Sequence, residues 1–443
     1  MNSADRLAID AQRWPRIARI PEGKLLGRRA QLSEKSFERL CERYGIALGG
    51  ESGVRMHIAD STFYARVAEG DWLGLGEAFL AGEWSSEELP NLLSLLLDSG
   101  LEVGPEGSFA RGLRRLTRPR SLSDGSDDGG ELPTSLLQLF AGDLIFGGSG
   151  LFASGVRTTS REEIPNNGKG AGRSGIPAKW AVDVTYVDAP RNVVRADLPA
   201  AQLRCIDHLL DMARVRAGDR VAEWPSAGGE IALRAAERGA GADVITVSDD
   251  HTESVMQRAS EAGLSGAVRV EQVGRSIPSP REFTSDYEAV INVERLETFG
   301  EAGMVRWLRS AERILVERGT IVAQLAIATE KFDEAAHRSV ELIRAYVWPQ
   351  LNFVTMEQFR RVVDRETGLR VAAEEYIPAH YATTLRLQRS VFAGNARVAA
   401  GIGYDRVFRR LWDYSLALLE ALVESGRLTM VQVELIHAPR RGR

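Results

Sequence analysis

Apolar and polar positions change period repeatedly over residues 196–330, and this change predicts alternating strands and helices. Short apolar runs that predict buried strands lie at 219–224, 243–248, 267–273, 287–293 and 319–327. Amphipathic stretches that predict helices lie between them at 230–239, 251–263 and 302–317. Alternation at this spacing indicates an α/β domain with a parallel sheet and helices on both of its faces.

Further elements flank this region. Residues 198–215 are amphipathic and predict a helix with one apolar face, formed by Leu203, Ile206, Leu209 and Leu210. Two more strands are predicted at 369–377 and 428–436. Between them, residues 403–424 predict a core-packed helix, because four large side chains align along one side: Val407, Leu411, Tyr414 and Leu418.

The N-terminal part, residues 1–103, predicts a small α+β domain. The stretch "GVRMHIAD" (53–60) alternates like a strand, and a glycine-rich stretch follows it. A helix is predicted next, with Ser85 or Ser86 as its N-cap and Gly100 at its end.

Residues 104–180 predict a flexible linker, because they contain runs rich in Gly, Ser, Arg and Asp. An apolar island at 135–155 interrupts the linker. The island is either a hairpin packed on the core or a segment that faces lipid.

Composition narrows the functional classes. A chain of 443 residues predicts two domains, and a net charge of −5 gives no sign of a nucleic-acid partner. Cys41 and Cys205 form neither a disulfide framework nor a metal set, as is typical of the reducing cytoplasm. No stretch approaches the ~18 consecutive apolar residues of a membrane-spanning helix, and the N-terminus lacks the apolar core of a signal peptide. We therefore expect a cytoplasmic protein.

The strand, turn and helix at 221–240, "VAEWPSAGGEIALRAAERGA", have the order of a ligand-binding turn. In a doubly wound sheet the ligand lies beyond the carboxyl ends of the strands, where the first turn leads into a helix. Glycines there let the backbone approach the ligand, and the free amides of the helix start favour negative charge. The same order also occurs in α/β crossovers that bind nothing, so the turn alone leaves both interpretations open.

Four other stretches of the chain resemble sequence patterns of one enzyme family. "GLGEAFLAGEW" (74–84) has an N-terminal family pattern, "VINVERLETFG" (290–300) follows "IVSVEMxExVG", and "HYATTLRLQ" (380–388) follows "HYxxTLxxW". Residues 404–435 follow "RxWxxYLxxxExxFxxGxxxxxQxxL". Together, in this order, they resemble the cyclopropane-fatty-acyl-phospholipid synthases and the related 10-methyl (tuberculostearic) fatty-acid methyltransferases.

The resemblance implies a fold, a cofactor and a substrate. The fold is a Rossmann-like class I methyltransferase domain over 181–443, behind the small N-terminal α+β domain. The cofactor is S-adenosylmethionine, and the substrates are acyl chains of membrane phospholipids. The cofactor-binding residues that it implies are Glu223, Ser226, Gly228, Gly229, Thr246 and Ser248.

The chain departs from the family at the cofactor. The family turn is similar to "LEIGxGWGxLA", whereas this chain has "AEWPSAGGEIA", with Pro225 and Ala227 in place of two glycines. Proline removes an N–H donor, and alanine adds a Cβ atom where close approach is needed. Residues 274–276 replace the family's "DYR", and "NNGKGAGRSGIPAKW" (166–180) stands in place of "HYDxxNxFF". We therefore predict weak or absent binding of S-adenosylmethionine.

The family's base site is also altered. The resemblance implies an anion held by a Cys, a Glu, a His and a Tyr. Glu297 and Tyr381 match, but Asp188 in "TYVDA" replaces the Cys, and the His falls near Gln324. A carboxylate at Asp188 would repel an anion. Glu297 and Tyr381 are therefore either structural residues or, with Asp188, the catalytic residues of a modified site.

Two charged groups have alternative interpretations. Asp249, Asp250 and His251 are typical of a helix N-terminus, and a metal site is the alternative. A set of linker arginines is either solvated or binds an anionic membrane surface: Arg111, Arg114, Arg115, Arg118 and Arg120.

The sequence thus leaves two functional hypotheses. The first is a degenerate lipid methyltransferase that acts as a partner or lipid-binding protein, as a homo-oligomer or with a family paralogue, in the cytoplasm or peripherally on the inner membrane face. The second is an active enzyme that adds a methyl or methylene carbon to unsaturated acyl chains.

Overall fold

The protein is described by a computed structural model over residues 9–21, 24–49, 53–101, 129–142, 144–173, 175–283 and 285–439. The chain divides into two compact units. Unit 1 comprises residues 1–125, 331–349 and 392–427, and unit 2 comprises residues 126–330, 350–391 and 428–443. Neither unit is a continuous stretch of chain, in contrast to the contiguous domains that the sequence predicts.

The strands of the described residues are β1 (Ile46–Ala47), β2 (Val54–Arg55), β3 (His57–Ile58), β4 (Trp84–Ser85), β5 (Arg157–Pro165), β6 (Lys179–Val187), β7 (Arg220–Glu223), β8 (Gly241–Thr246), β9 (Val268–Gln272), β10 (Tyr287–Val293), β11 (Leu315–Ala328), β12 (Leu369–Tyr376) and β13 (Leu428–His437).

The α-helices of the same residues are α1 (Pro15–Ala18), α2 (Lys24–Tyr44), α3 (Thr62–Ala81), α4 (Leu89–Asp98), α5 (Thr134–Ala141), α6 (Leu198–Met212), α7 (Glu230–Glu237), α8 (Asp249–Glu261), α9 (Gly300–Ile314), α10 (Glu334–Ser339), α11 (Glu341–Tyr346), α12 (Met356–Glu366), α13 (Pro378–Gly394), α14 (Ala396–Gly401) and α15 (Arg406–Glu424).

Unit 2 is built on a nine-stranded sheet in the order β5-β6-β12-β13-β11-β10-β7-β8-β9. Strands β7 to β11 are mutually parallel, with Val290 of β10 facing Ala222 of β7 on one side and Ile321 of β11 on the other. Strand β13 runs antiparallel between β11 and β12. The α/β, Rossmann-like fold predicted from the sequence is confirmed.

The core of unit 2 follows from the buried strands. The side chains of β7, β10 and β11 are almost all buried, so their apolar runs have no alternation. Trp307, Leu308 and Ile314 of α9 join the same apolar core as Val290 and Ile321. The carboxyl ends of β7, β8 and β10 therefore carry the polar residues at one edge of this packed layer.

The flexible linker predicted for 104–180 is wrong over its described part. Residues 134–141 form α5, and β5 and β6 form an antiparallel hairpin at the edge of the large sheet. The apolar island is buried at Leu136, Phe140, Phe146 and Phe152, so it belongs to the core. The linker arginines, from Arg111 to Arg120, lie outside the described residues.

Unit 1 contains a buried ion pair between Arg66 of α3 and Glu83, with 2.9 Å between Arg66 Nε and Glu83 Oε1. The same guanidinium donates hydrogen bonds to the carbonyl oxygens of Arg16, Ile17 and Arg19. Breaking a buried pair by removing one partner is strongly destabilising. Arg66 thus ties the N-terminal arm to the centre of unit 1.

Helix α3 spans the glycine-rich stretch, which the sequence did not predict as helical. It has a break at Asp71, where φ is 46°. A Cβ atom at position 74 would lie 2.0 Å from the Arg66 carbonyl oxygen, so only glycine fits there. Gly74 has a low helix propensity but is needed for the close approach of the chain at this break.

Three local predictions are wrong. The stretch 53–60 forms two short strands in two different sheets, β2 with β1 and β3 with β4, rather than one strand. The residue before α4 is Glu88, and Ser86 instead donates its hydroxyl hydrogen bond to the Arg55 carbonyl oxygen. Leu203 on α6 is 39% exposed, although Ile206, Leu209 and Leu210 are buried as predicted.

The C-terminal prediction is confirmed, since α15 buries Val407, Leu411, Tyr414 and Leu418. Among the described helices, none combines the length and the apolar character that crossing a membrane requires.

Candidate functional site

The turn after β7 is organised by the buried carboxylate of Glu223. Glu223 Oε1 accepts hydrogen bonds from the backbone N–H groups of Ala227 at 2.7 Å and Gly229 at 2.8 Å. Its Oε2 accepts a third from Ala232 in α7, at 3.1 Å. Burial raises the pKa of Glu223, while these three donors lower it. Glu223, which the sequence predicts to bind the cofactor, therefore uses both carboxylate oxygens to hold the turn.

Gly228 and Gly229 shape the turn. Gly228 is needed because another segment of the chain packs directly against it. Gly228 has φ 120°, and a Cβ atom there would lie 2.0 Å from the carbonyl oxygen of Ile145. Gly229 has φ 86° and precedes α7. The close approach that glycine permits is thus made here by the segment that contains Ile145.

The N–H groups of the turn are all used within the chain. Ser226 N donates to the Ile245 carbonyl at 3.1 Å, and Gly228 N donates to Ser226 Oγ at 3.1 Å. The amides of Ala227 and Gly229 are held by Glu223, and Pro225 has none. In the described part of the chain, no N–H group between positions 225 and 229 remains to donate to a ligand.

Trp224, which the sequence analysis did not single out, closes the turn from below. Its indole N–H donates to the Ser276 carbonyl oxygen at 2.9 Å, and its ring packs against Phe283 and Trp307. Ser276 is buried, whereas Arg275 pairs with Glu282 on the surface. Trp224 therefore ties the last of the three residues that replace the family's "DYR", Ser276, to the turn.

Residues 129–134 cross the carboxyl ends of the strands. A Cβ atom at Gly129 would lie 3.0 Å from Pro225 Cγ and 2.9 Å from Ser276 Cβ. Thr246 Oγ1 at the end of β8 donates to Glu131 Oε2 at 2.5 Å. Of the predicted cofactor residues, Thr246 is thus already bonded to a carboxylate of the chain itself.

The sequence did not predict this crossing. It placed the covering segment at 166–180, but residues 157–187 form the β5–β6 hairpin with its connecting loop. The stretch "GGELPTSLL" (129–137) has an acid, a polar residue and two apolar residues, namely Glu131, Thr134, Leu136 and Leu137, at the spacing of "HYDxxNxFF". That spacing was the signal that could have found the segment.

The Asp249–His251 cluster is a helix start, as the N-terminus interpretation predicts. Ser248, predicted to bind the cofactor, is the N-cap residue of α8 and accepts from His251 N at 3.3 Å. Asp250 accepts from the N–H and hydroxyl of Thr134, at 2.7 Å and 2.9 Å. No group of three or more metal-binding side chains occurs in the parts of the chain described above.

His251 links the turn to the crossing segment. Its Nδ1 lies 2.8 Å from Ser226 Oγ, and its Nε2 lies 2.7 Å from the Leu132 carbonyl oxygen. Since Leu132 O only accepts, Nε2 carries the proton and Nδ1 accepts from Ser226. Burial lowers the pKa of His251, so the neutral ring is the form that fits these two bonds.

The second part of the site is a pair of acids after β10, the buried Glu297 and the half-buried Glu294. Glu297 Oε1 accepts from Ala326 N at 3.1 Å, and burial raises the pKa of Glu297 to about 7. Glu297 Oε2 is buried and has no hydrogen-bond partner within the described residues. Tyr381 is buried nearby, and burial, followed by the charges of Glu294 and Glu297, raises its pKa.

Glu294, which the sequence analysis missed, lies three positions before Glu297. Its Oε1 accepts from Ser149 N at 2.7 Å, from Ser149 Oγ at 2.5 Å and from Gln324 Nε2 at 2.7 Å. Gln324 Oε1 in turn accepts from Gln432 at 2.7 Å and from the Cys205 thiol at 3.2 Å. The glutamine at the family's His position is therefore fully engaged in a buried network.

Asp188 does not join this cluster. Its side chain is exposed at the end of β6, and its carbonyl oxygen lies 3.1 Å from His380 Nε2. No hydrogen bond or ion pair joins its carboxylate to Glu297 or Tyr381. The physical reason is the strand order, because β12, β13 and β11 lie between β6, which precedes Asp188, and β10, which precedes the acids. Ser149 binds Glu294 instead.

Glu297 should make stability fall as pH rises from 4.5 to about 7. Burial raises its pKa in the folded state from 4.5 to about 7, so the folded protein keeps a proton that the unfolded chain releases in this window. The contribution is fully present below pH 4.5 and is lost by about pH 7. Glu297→Gln removes the titration, so its free energy of unfolding should decline by up to about 3 kcal/mol less over this window.

Urea unfolding across this pH range checks the difference between wild type and variant. Glu301→Gln, an exposed glutamate in the first turn of α9, is the matched control and should leave the pH profile unchanged. Parallel profiles for wild type and Glu297→Gln would contradict the raised pKa.

Comparison with known proteins identifies one relative that matches nearly the whole chain and another that matches a short part of it. The tuberculostearic acid methyltransferase UfaA1 of Mycobacterium tuberculosis (strain ATCC 25618 / H37Rv) is 28% identical over 441 residues, which cover 97% of this chain and 96% of the relative. The cyclopropane-fatty-acyl-phospholipid synthase of Escherichia coli (strain K12) is 35% identical over 63 residues, 14% of this chain and 16% of the relative.

Solved structures show the same fold. The cyclopropane synthase MmaA2 from Mycobacterium tuberculosis aligns with a TM-score of 0.55 at 16% identity, over 71% of this chain and 99% of that chain. Coclaurine N-methyltransferase bound to N-methylheliamine and SAH aligns with a TM-score of 0.56 at 12% identity, over 82% of this chain and 97% of that chain.

The family model named mycolic acid cyclopropane synthetase matches residues 183–433, more than half of the chain. This family uses S-adenosylmethionine, and the match confirms the relationship that the four sequence motifs predict. The chain belongs to the mycolic acid cyclopropane synthetase family.

Proposed function

We propose that this chain is a degenerate member of the family that has lost most of its affinity for S-adenosylmethionine. In this proposal it acts in acyl-lipid modification as a partner or lipid-binding protein. The observation that carries the proposal is the internal use of every N–H group in the turn at 225–229. Two contacts of residues 129–134 also support the proposal. Thr246 donates a hydrogen bond to Glu131, and Gly129 lies close to Pro225 and Ser276.

The energetic cost of these changes is large for a small ligand. Losing one charge-assisted hydrogen bond costs about 1.5–3 kcal/mol. Two or three such losses move a dissociation constant from about micromolar to about millimolar or beyond. A cofactor would also have to displace the Thr246–Glu131 hydrogen bond before it could bind at the end of β8.

Calorimetry with S-adenosylmethionine and S-adenosylhomocysteine tests the proposal. We expect dissociation constants of about 1 mM or weaker for the wild type. The double variant Pro225→Gly/Ala227→Gly restores the family glycines and should bind at least about tenfold more tightly. Gly266→Ala, in the loop before β9 and with open space at its Cβ position, is the control that should change nothing. A wild-type dissociation constant of a few micromolar would overturn the proposal.

An active enzyme is the second candidate, and the state of Glu297 favours it. A carboxyl group with a pKa of about 7 can take or give a proton at neutral pH. Its Oε2 has no partner among the described residues, and Tyr381 lies close enough for the two acids to affect its pKa. In this hypothesis S-adenosylmethionine supplies the one-carbon group, Glu297 receives the proton that the methylated acyl chain loses, and Tyr381 orients the chain.

Mass spectrometry of acyl chains from cells that express the protein tests this candidate. If the protein is active, chains with one added methyl or methylene carbon should accumulate, and Glu297→Gln should lower them at least about tenfold. Glu301→Gln, which changes an exposed carboxylate, should leave them unchanged. Product that is present in the wild type and lost only in Glu297→Gln would replace the first candidate by the second.

We further propose that the protein works at the cytoplasmic membrane surface, where its acyl substrates or ligands lie. The support is the arginine run between Arg111 and Arg120, since each basic residue near an anionic membrane contributes about 1 kcal/mol of binding. The protein should pellet with anionic vesicles, and less of it should pellet as salt rises.

The variant that replaces Arg111, Arg114, Arg115 and Arg118 by Ser should pellet less, whereas vesicles of neutral lipid should retain neither protein. Equal pelleting of the variant and the wild type on anionic vesicles would show that these arginines do not contribute to membrane binding.

A further inference from the structure

Strand β5 forms a long outer edge of the large sheet. It spans nine residues, Arg157–Pro165, and pairs with β6 as its one neighbour among the described strands. Eight of its nine side chains are exposed, and Ile164 is half-buried. An edge of this length exposes a row of backbone donors and acceptors to which another strand can pair.

The pairing with β6 fixes which backbone groups point outward. Asp188 N donates to Val156 O, and Asn166 N donates to Ala178 O, so the even-numbered residues of β5 form the hydrogen-bonded pairs with β6. The odd-numbered residues therefore direct their N–H and C=O groups away from the sheet. Four of them carry an N–H group, namely Arg157, Thr159, Arg161 and Glu163, and Pro165 ends the series.

This row is complementary to itself. When two copies of β5 run antiparallel about a two-fold axis at Ser160, Arg157 faces Glu163 of the other copy and Thr159 faces Arg161. All four outward N–H groups of each copy then find a carbonyl oxygen, which gives about eight hydrogen bonds across the axis. Opposite charges also face each other at both ends of the ladder, where Arg157 and Glu163 would extend the ion pairs that they form with Glu375 and Lys179 within the chain.

The charges of β5 favour one register. Charged side chains and proline protect many edge strands from pairing, so a partner strand must bring opposite charges together. In β5 the acid and the base at the ends of the ladder match across the two-fold axis. A register two residues further along would bring the missing N–H of Pro165 into the ladder and lose hydrogen bonds.

We propose that β5 is a dimerisation edge, at which a second copy of this chain pairs antiparallel about Ser160 to join the two sheets into one.

Sedimentation velocity on the full chain tests the pairing. The wild type should be a dimer. Thr159→Pro removes one outward N–H in each copy at a position where an edge strand tolerates proline, and it should raise the dimer dissociation constant at least about tenfold. Thr159→Ala, which keeps the N–H, is the matched control and should remain dimeric. Circular dichroism should show the same folded state in all three proteins.

A charge pair tests the register. Glu163→Lys places a lysine opposite Arg157 and should weaken the dimer, whereas Glu162→Lys makes the same charge change opposite Thr158, on the other face, and should have a much smaller effect.

A cysteine on the axis provides a covalent test. In the proposed register Ser160 faces its own copy in a non-hydrogen-bonded pair, where Cα atoms lie about 4.5 Å apart, within the range of a disulfide. Ser160→Cys should form a disulfide-linked dimer under mild oxidation, whereas Glu162→Cys should not. The native Cys41 and Cys205 are buried. A monomeric wild type, a dimer that persists in Thr159→Pro, or no disulfide in Ser160→Cys would overturn the proposal.

Discussion

The carboxylate of Glu223 is the interaction on which the candidate site depends. A buried acid at the end of a central strand is costly unless donors surround it, and here three backbone N–H groups do so. Those bonds fold the turn back over the strand, place Gly228 against Ile145 and start α7. The same bonds that make the turn stable also withdraw its amides from any ligand.

One segment, residues 129–152, connects the two parts of the site. Glu131 binds the end of β8, Gly147 N donates to the Ala227 carbonyl of the turn at 2.7 Å, and Ser149 holds Glu294 in the acid cluster. The turn has therefore exchanged ligand contacts for contacts with its own chain, while the acid cluster keeps Glu297 with an oxygen that no described residue binds. This asymmetry is the physical basis for the two functional candidates.

The sequence predicted those elements whose pattern is set by burial alone. The strands β7 to β13 were found as short apolar runs, and the helix α15 was found because its apolar positions follow the helical period. Leu203 was predicted to belong to the apolar face but is exposed. Helical periodicity shows which side of a helix is apolar, but it does not show how much of that side other residues cover. The β5–β6 hairpin was missed because its polar, exposed residues resemble a linker in composition.

The candidate site was predicted in part for similar reasons. Motif spacing located Glu223, Glu297 and Tyr381, but it could not show that Glu223 is saturated by backbone donors. Asp188 was aligned through a short motif at the end of β6, which three strands separate from β10 and the acids that follow it. Trp224 and Glu294 lacked any signal of charge pairing or periodicity, and their roles follow from tertiary contacts alone.

The strand order also constrains how the protein is made. Strand β13, residues 428–437, lies between β12 and β11, so it joins β5, β6 and β12 to the remaining five strands. During synthesis these two groups cannot be bridged until the last of these residues has left the ribosome. Until then each group of strands has an unpaired edge strand, and side chains that are buried in the finished sheet remain exposed. The nascent chain must therefore be kept from aggregating until β13 has been synthesised.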